Sequence, residues 1–373
     1  MRIAYFVHDT SDAAVLRRVR MLHASGASVR VLGFRRHASP TREVDGAPVV
    51  DLGRTFDGRL AHRAGLTLWH AAHALVAFGR QAPPDIFLAR NLEMLLLASA
   101  ARRRAFPAAA LVYECLDIHR LMTSEGRAGR VLRSLERRLL GGCQLLIVSS
   151  PAHLSAYFTR FQATPQDRPA VFVLENKVFA PPPEPAAPRR AGPPWRIGWF
   201  GRLRCRRSLE TLASLAARQH GRVEVLLAGR PSERELGDLP AVLAGVRHVA
   251  FTGAYDAGDL EKLYRSVHFA WAIDYFEAGQ NSRWLLPNRL YEGGRYGAVP
   301  IGLRSVETGR WLEARRLGVV LDDAPNELDR FFDRLDAETW RQLETRSRCA
   351  PATWFSAGAE ECEALRRALE CIL

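Results

Sequence analysis

The sequence predicts an α/β protein made of two parallel-sheet domains, and three observations lead there. Short apolar runs alternate with helix-period segments in both halves, which is the pattern of repeated βαβ units. Between the halves lies Ala180–Pro194 (APPPEPAAPRRAGPP), too rich in proline for strand or helix, which reads as a linker. After it, the strand–turn–helix plan restarts at Trp195. At 373 residues the chain has room for two domains of ordinary size. The expected division is residues 1–178, a linker over 179–194 and a second domain over 195–351. A terminal helix over 352–373 is expected to pack back onto the first domain.

Arg2–Val7 is the first strand. The turn His8-Asp9-Thr10-Ser11-Asp12 carries residues able to cap a helix, on which Val15, Val19 and Leu22 share one face and Gly26 provides the stop. Val29–Phe34 follows as a parallel partner strand. The segment Arg59–Arg80 has helical period and mixes Arg, His and Trp69 with an apolar side, suiting either a membrane interface or the cover of a sheet. Ile86–Ala89 and Leu111–Glu114 are strands. Asp117 and His119 come just after the latter, at the strand end where α/β sheets bind ligands. A neutral histidine there could assist a hydroxyl or face a developing charge, or be hydrogen-bonded within the loop. Gly126–Leu140 (GRAGRVLRSLERRLL) is a strongly basic amphipathic helix suited to anionic lipid. Leu145–Val148 and Val171–Leu174 complete this half.

In the second half Trp195–Phe200 is a strand, and Gly201–Ser208 (GRLRCRRS) a turn of glycine and arginines before a helix over Leu209–His220. Guanidinium forks suit diphosphate oxygens, and glycine lets backbone approach a ligand. Val223–Ala228 ends at Gly229-Arg230-Pro231, and His248–Phe251 ends at Thr252-Gly253. A helix over Asp259–Val267 leads into the stretch that organises this half, His268–Pro300. It opens with the apolar strand His268–Ile273 and continues through the polar segment Asp274–Arg283. Pro287 then marks a helix start, at the position where its missing N–H costs nothing. Asn288 and Arg289 fall in the first turn, where free N–H groups attract anions, and Glu292 lies one turn deeper, placed to accept bonds from sugar hydroxyls. The combination suits a nucleotide sugar; a solvated helix face is the plain alternative. Ala298–Gly302 and Gly318–Leu321 are the last strands.

The formal charge is +13, of which residues 1–178 carry +11. That half is expected to meet an anionic partner: a membrane surface, a lipid diphosphate or nucleic acid. The six cysteines are scattered without CxxC or metal-ligand spacing, so a reducing compartment and no metal site are expected. The amino terminus runs straight into MRIAYFV, a first strand and not a signal peptide, and no apolar run is long enough to span a bilayer.

These motifs meet a known family. The two α/β halves, GRLRCRR after the first strand of the second, and PNRLYE before GAVP resemble a GT-B glycosyltransferase. More narrowly, the chain is similar to family 4 retaining glycosyltransferases. YECLDIHR, WFGRLRCRRSLE and WAIDYFEAGQNSRWLLPNRLYEGG resemble the succinoglycan-type enzymes of bacterial exopolysaccharide assembly. The resemblance implies two Rossmann-like domains facing each other across a cleft. It gives Arg202 and Arg207 the donor diphosphate, with Gly201 in the same turn, and Glu292 the donor ribose. Asn288, Arg289 and Leu290 fall at the helix start under the diphosphate, and Gly229, Arg230 and Gly253 near the nucleobase. Asn281 and Ser282 join the donor group, and His119, with Asp117, faces the donor sugar. Two departures stand out. Trp284 occupies the place of the family's first motif glutamate, with Asp274 or Glu277 the expected substitute as a carboxylate near the donor sugar, and DTSD replaces the glycine pair after the first strand.

The expected function is metal-independent retaining transfer of a sugar, from a UDP-sugar in the first instance. The acceptor is a polyprenyl-diphosphate-linked saccharide at the inner face of the bacterial plasma membrane. No cofactor is expected. A GT-B epimerase or hydrolase, or a basic membrane-associated protein without catalysis, are the rival readings. Nucleic-acid binding lacks any aromatic–basic or helix-turn-helix signal.

Overall fold

The computed structural model describes all residues except 57–64, 68, 71–81, 163–168 and 186. The predicted helix over Arg59–Arg80 lies largely outside the described residues. The chain divides into two compact units, Met1–Phe179 with Ala357–Leu373, and Ala180–Ser356.

The first unit holds an eight-stranded sheet. Its strands are β1 (Arg2–Val7), β2 (Ser28–Arg35), β3 (Glu43–Val44), β4 (Ala47–Arg54), β5 (Ile86–Arg90), β6 (Ala110–Cys115), β7 (Leu145–Val148) and β8 (Ala170–Val173), in the order β3-β4-β2-β1-β5-β6-β7-β8. All neighbours are parallel except β3 and β4. That hairpin was not read from the sequence, although Asp45-Gly46 carries its signal: both residues have positive φ, 50° and 77°, as a tight two-residue turn requires. Central strands such as β5 and β6 are buried throughout, which is why they read as apolar runs, interrupted by a charge only near their ends, at Arg90 and Glu114. Helices α1 (Ala13–Ala24), α2 (Asn91–Ala105) and α3 (Arg127–Leu140) belong to this unit. The predicted terminal helix is instead a short 3-10 turn, Ala352–Trp354, a two-residue strand and a helix, Ala359–Glu370. Cys362, Leu365 and Leu369 of that helix join the first unit's core with Val15, Val19 and Leu22.

Two buried carboxylates are tied into this unit. Glu114 accepts from Tyr5 Oη at 2.6 Å, Arg18 Nε at 2.6 Å and Arg90 Nε at 2.9 Å. Burial raises its pKa, but Arg90 and Arg18 outweigh that and hold it at about 2. Glu136, on the inner face of α3, accepts from Tyr113 Oη at 2.9 Å and also from Tyr157 and Gln162. Burial, only partly offset by those donors and by Arg133, lifts its pKa to about 7.

The second unit holds six parallel strands in the order β12-β11-β10-β13-β14-β15: β10 (Trp195–Leu203), β11 (Val223–Pro231), β12 (Val249–Phe251), β13 (Phe269–Trp271), β14 (Val299–Leu303) and β15 (Val319–Leu321); β9 (Val178–Phe179) precedes them. Trp195, Trp271 and Trp340 fill the core around them. The proline-rich stretch belongs to this unit and is clipped to it. Arg295 donates to the carbonyls of Ala180 and Pro181, and Arg265 to that of Glu184. Arg189 donates to Tyr264 O at 3.0 Å, Tyr296 O at 2.7 Å and Gly297 O at 3.0 Å.

Candidate nucleotide-sugar site

The strand order reverses direction between β10 and β13, and in open α/β sheets ligands bind where that happens, outside the carboxyl ends of the strands. The sequence reading needs correction at this edge. Strand β10 continues through Gly201, Arg202 and Leu203, and helix α4 (Arg206–Arg218) starts early enough to hold Arg207 in its first turn. β10 and β11 pair residue for residue to their last positions, so Arg202 stands beside Arg230, both exposed. A strand pair with a ligand-facing rim needs bare backbone there. Gly201 sits at φ 105° and Gly229 at φ 129°, and a Cβ on Gly229 would lie 1.9 Å from Gly201 O. Gly229 N donates to Gly253 O at 2.7 Å, which sets the three glycines in a row across the sheet edge.

The segment after β13 carries the charged groups. Asp274 Oδ1 accepts from Phe276 N at 2.8 Å, a turn that folds the chain back on itself. Glu277 N donates to Ser282 Oγ at 2.9 Å, with Asn281 and Ser282 both buried. Arg207 lies over the ring of Tyr275 at 4.2 Å and Arg204 over that of Phe276 at 4.5 Å. Arg204 Nη2 is 4.0 Å from Asp274 Oδ2. From the other side Arg289, in α5 (Asn288–Arg295), donates from Nη2 to Ile273 O at 3.2 Å, while its buried Nε has no partner. Arg204, Arg207 and Arg289 therefore bracket the carboxyl end of β13.

Glu292 is one turn further along α5. Tyr264 Oη donates to its Oε2 at 3.4 Å, and burial with the nearby Glu292 carboxylate raises that phenol well above its ordinary range. Tyr255, close above Gly201, is raised by burial and by Glu292, with Arg289 acting in the opposite sense. Glu292, Tyr255, Tyr264 and Arg289 thus form one group beside the glycine row. Tyr275, its hydroxyl buried without a partner, is pushed up to about 12 by burial, against the pull of Arg207.

Two residues sit differently from expectation. Pro287 is the N-cap of α5 and not its first helical residue. Leu290 has a fully buried side chain and its N–H already bonds Pro287 O, so it offers nothing to a ligand. Asp117 and His119 belong to the first unit, where both are exposed and His119 Nδ1 accepts from Leu121 N at 3.3 Å to cap a short helix. Trp284 is half-buried at the end of the short helix Asn281–Trp284. The reading from sequence passed over Arg204, Tyr255, Tyr264 and Tyr275; only Arg204 had a signal, its place among the other arginines. Among the described residues no group of three or more His, Cys, Asp or Glu could hold a metal ion.

Two parallel-sheet units, each with its own switch point, define the class by fold: that of GT-B proteins. Solved structures share the fold over essentially the whole chain. Sucrose-phosphate synthase from Thermosynechococcus elongatus matches with a TM-score of 0.76 at 15% identity, covering 100% of both chains. Anabaena HepE in complex with UDP and glucose matches with a TM-score of 0.71 at 14% identity, again over 100% of both. WaaG, a glycosyltransferase involved in lipopolysaccharide biosynthesis, matches at 0.58 and 13% identity over 99% of both. No family model matches the chain. The succinoglycan biosynthesis protein ExoL of Rhizobium meliloti strain 1021 is 42% identical over 379 residues, 99% of this chain and 93% of ExoL. At that identity and coverage the chain belongs to the ExoL family of succinoglycan biosynthesis proteins.

Proposed function

We propose that the protein is a retaining glycosyltransferase of exopolysaccharide assembly, moving a sugar from a UDP-sugar to a lipid-diphosphate-linked saccharide. The observation that carries this is the bracket of Arg204, Arg207 and Arg289 around the end of β13, one turn from Glu292. Three guanidinium groups suit a diphosphate, and a carboxylate just beyond them suits the ribose hydroxyls that follow it in a nucleotide. The UDP held by the Anabaena HepE complexes supports UDP as the nucleotide.

In this reading the arginines and the positive end of the α5 dipole stabilise charge on the departing diphosphate. The acceptor hydroxyl attacks from the face the diphosphate leaves, and its proton passes to the leaving oxygen. Asp274 and Glu277 stand near the donor sugar, and neither is required as a nucleophile. The chemistry proposed needs no metal. The exposed arginines of α3, Arg127, Arg130 and Arg138, flank Val131, which is 66% exposed, and together fit an anionic membrane surface on the cytoplasmic side. No helix among the described residues is long and apolar enough to cross a membrane.

The test is turnover of UDP-sugars with lipid-linked acceptor in the presence of EDTA. Normal activity in the double variant Arg207→Ala, Glu292→Ala would reject this site. Full-rate release or epimerisation of the sugar from donor alone would favour an epimerase or hydrolase.

A further inference from the structure

The second unit has a cavity of about 620 Å³ beside the turn Tyr296-Gly297 that leads into β14, at the amino edge of the sheet. Arg295, the last residue of α5, lines it. Along that helix Arg295 is about 9 Å from Arg289, so the cavity is separate from the arginines at the carboxyl edge.

Four arginines line it, Arg189, Arg265, Arg295 and Arg348, and they come from four places in the chain. Arg189 reaches from the proline-rich stretch to the carbonyls of Tyr264, Tyr296 and Gly297, whose sequence neighbours include Arg265 and Arg295. Arg348 closes the helix Ala337–Arg348. It meets Arg189 at Gly297, where a Cβ would lie 3.1 Å from Arg348 Cγ and 3.5 Å from Arg189 Nη1. Their counter-charges do not balance. Glu184 is the one carboxylate among the described residues of the wall. Glu344 pairs with Arg189 at 3.4 Å and Glu261 with Arg265 at 2.6 Å. The hydrogen bonds of Arg295 go to the carbonyls of Ala180 and Pro181 and to Ser356 Oγ, none to a carboxylate. In Arg189, Arg265 and Arg295 the Nε is buried without a hydrogen-bond partner, a rare condition for a charged group. Burial lowers the pKa of Arg189; Glu344 opposes the fall, and Arg348 and Arg265 add to it. Positive charge is gathered here with too little negative charge to answer it.

The volume sets the size of what answers it. About 620 Å³ is the scale of a small-molecule site and far more than one water needs. Guanidinium groups suit phosphate oxygens, and Tyr296 and Phe355 in the wall offer apolar surface to the rest of a ligand. We propose that this cavity is a second anion site, taking a small soluble molecule that carries a phosphate or diphosphate group, at the opposite end of α5 from the donor site. It goes beyond the transferase reading and does not depend on it.

Cys349, an exposed thiol in the same wall, is the reporter. The test labels the full chain with iodoacetamide and reads the Cys349 peptide by mass spectrometry, as the ratio of rates without and with inorganic pyrophosphate. Pyrophosphate at about ten times its Kd should slow labelling about tenfold by mass action. Sodium chloride at the same ionic strength should not. Arg348→Gln and Thr345→Glu alter exposed side chains of the wall, so both variants should fold. Each should bind pyrophosphate about tenfold more weakly, the worth of one charge-assisted bond. Arg207→Ala should leave the protection intact. No protection in wild type, equal protection by sodium chloride, or equal protection in wild type and both wall variants would each overturn the site. Protection lost in Arg207→Ala would overturn it too, by placing the pyrophosphate at the donor site alone. Protection by phosphatidylglycerol vesicles and not by pyrophosphate would overturn the soluble ligand.

Discussion

Glu136 gives the sharpest test of the electrostatics. Its carboxyl is buried on α3 with Tyr113, Tyr157 and Gln162 as donors and a folded-state pKa of about 7, against 4.5 for the ordinary group. A raised acid means that the folded state holds its proton more tightly than the unfolded chain does. Its stabilising effect is therefore complete below pH 4.5 and lost as pH rises through about 7. At about 1.4 kcal/mol per pH decade, the loss across that window is about 3 kcal/mol. Glu136→Gln removes the charge and should flatten the slope. It puts an amide N–H where a tyrosine hydroxyl now donates, but that hydroxyl can rotate to accept, so the cost is about 1 kcal/mol. The variant should be less stable than wild type at pH 4 and more stable at pH 8. Seven of the eight tryptophans, all but Trp69, lie in the second unit, so their fluorescence reports on the wrong half. Amide exchange in β6 and β7 during urea titration reads the right one. Equal pH slopes in the two proteins would refute the reasoning.

Further outcomes follow from the same groups. Arg90→Met leaves Glu114 buried with Arg18 and Tyr5 alone and should cost about 3–5 kcal/mol in first-unit stability by urea titration; Glu114, held at about 2, contributes stability above the ordinary carboxyl range that is lost as pH falls toward 2. Arg207→Ala should lower kcat/KM for sugar transfer about 10²-fold or more, with Arg207→Lys recovering only part because the planar fork over Tyr275 is gone. Gly229→Ala places a Cβ 1.9 Å from Gly201 O, so the β10–β11 rim must separate; UDP binding by calorimetry should be abolished.

Much of this was legible in the sequence because parallel strands buried on both faces announce themselves as apolar runs, as in β1, β6 and β10. The place of Arg202 and Arg207 at the edge of the second sheet was legible as well, since both stand in a short motif after a strand. What sequence could not yield was pairing in space. Tyr255 and Tyr264 carry no motif, and their place beside Glu292 comes from three separate elements. Leu290 was misjudged because neighbours in a helix point in different directions, and its direction is the core.

The clipped proline-rich stretch bears on how the protein can be divided. A fragment begun at Trp195 would strip Arg265 and Arg295 of the carbonyls they bond and remove Arg189 from the ends of two helices. Anyone excising the second unit for crystallisation or calorimetry should start it at Ala180, since the stretch is held by its carbonyls even where Pro181, Pro182, Pro185 and Pro188 are exposed.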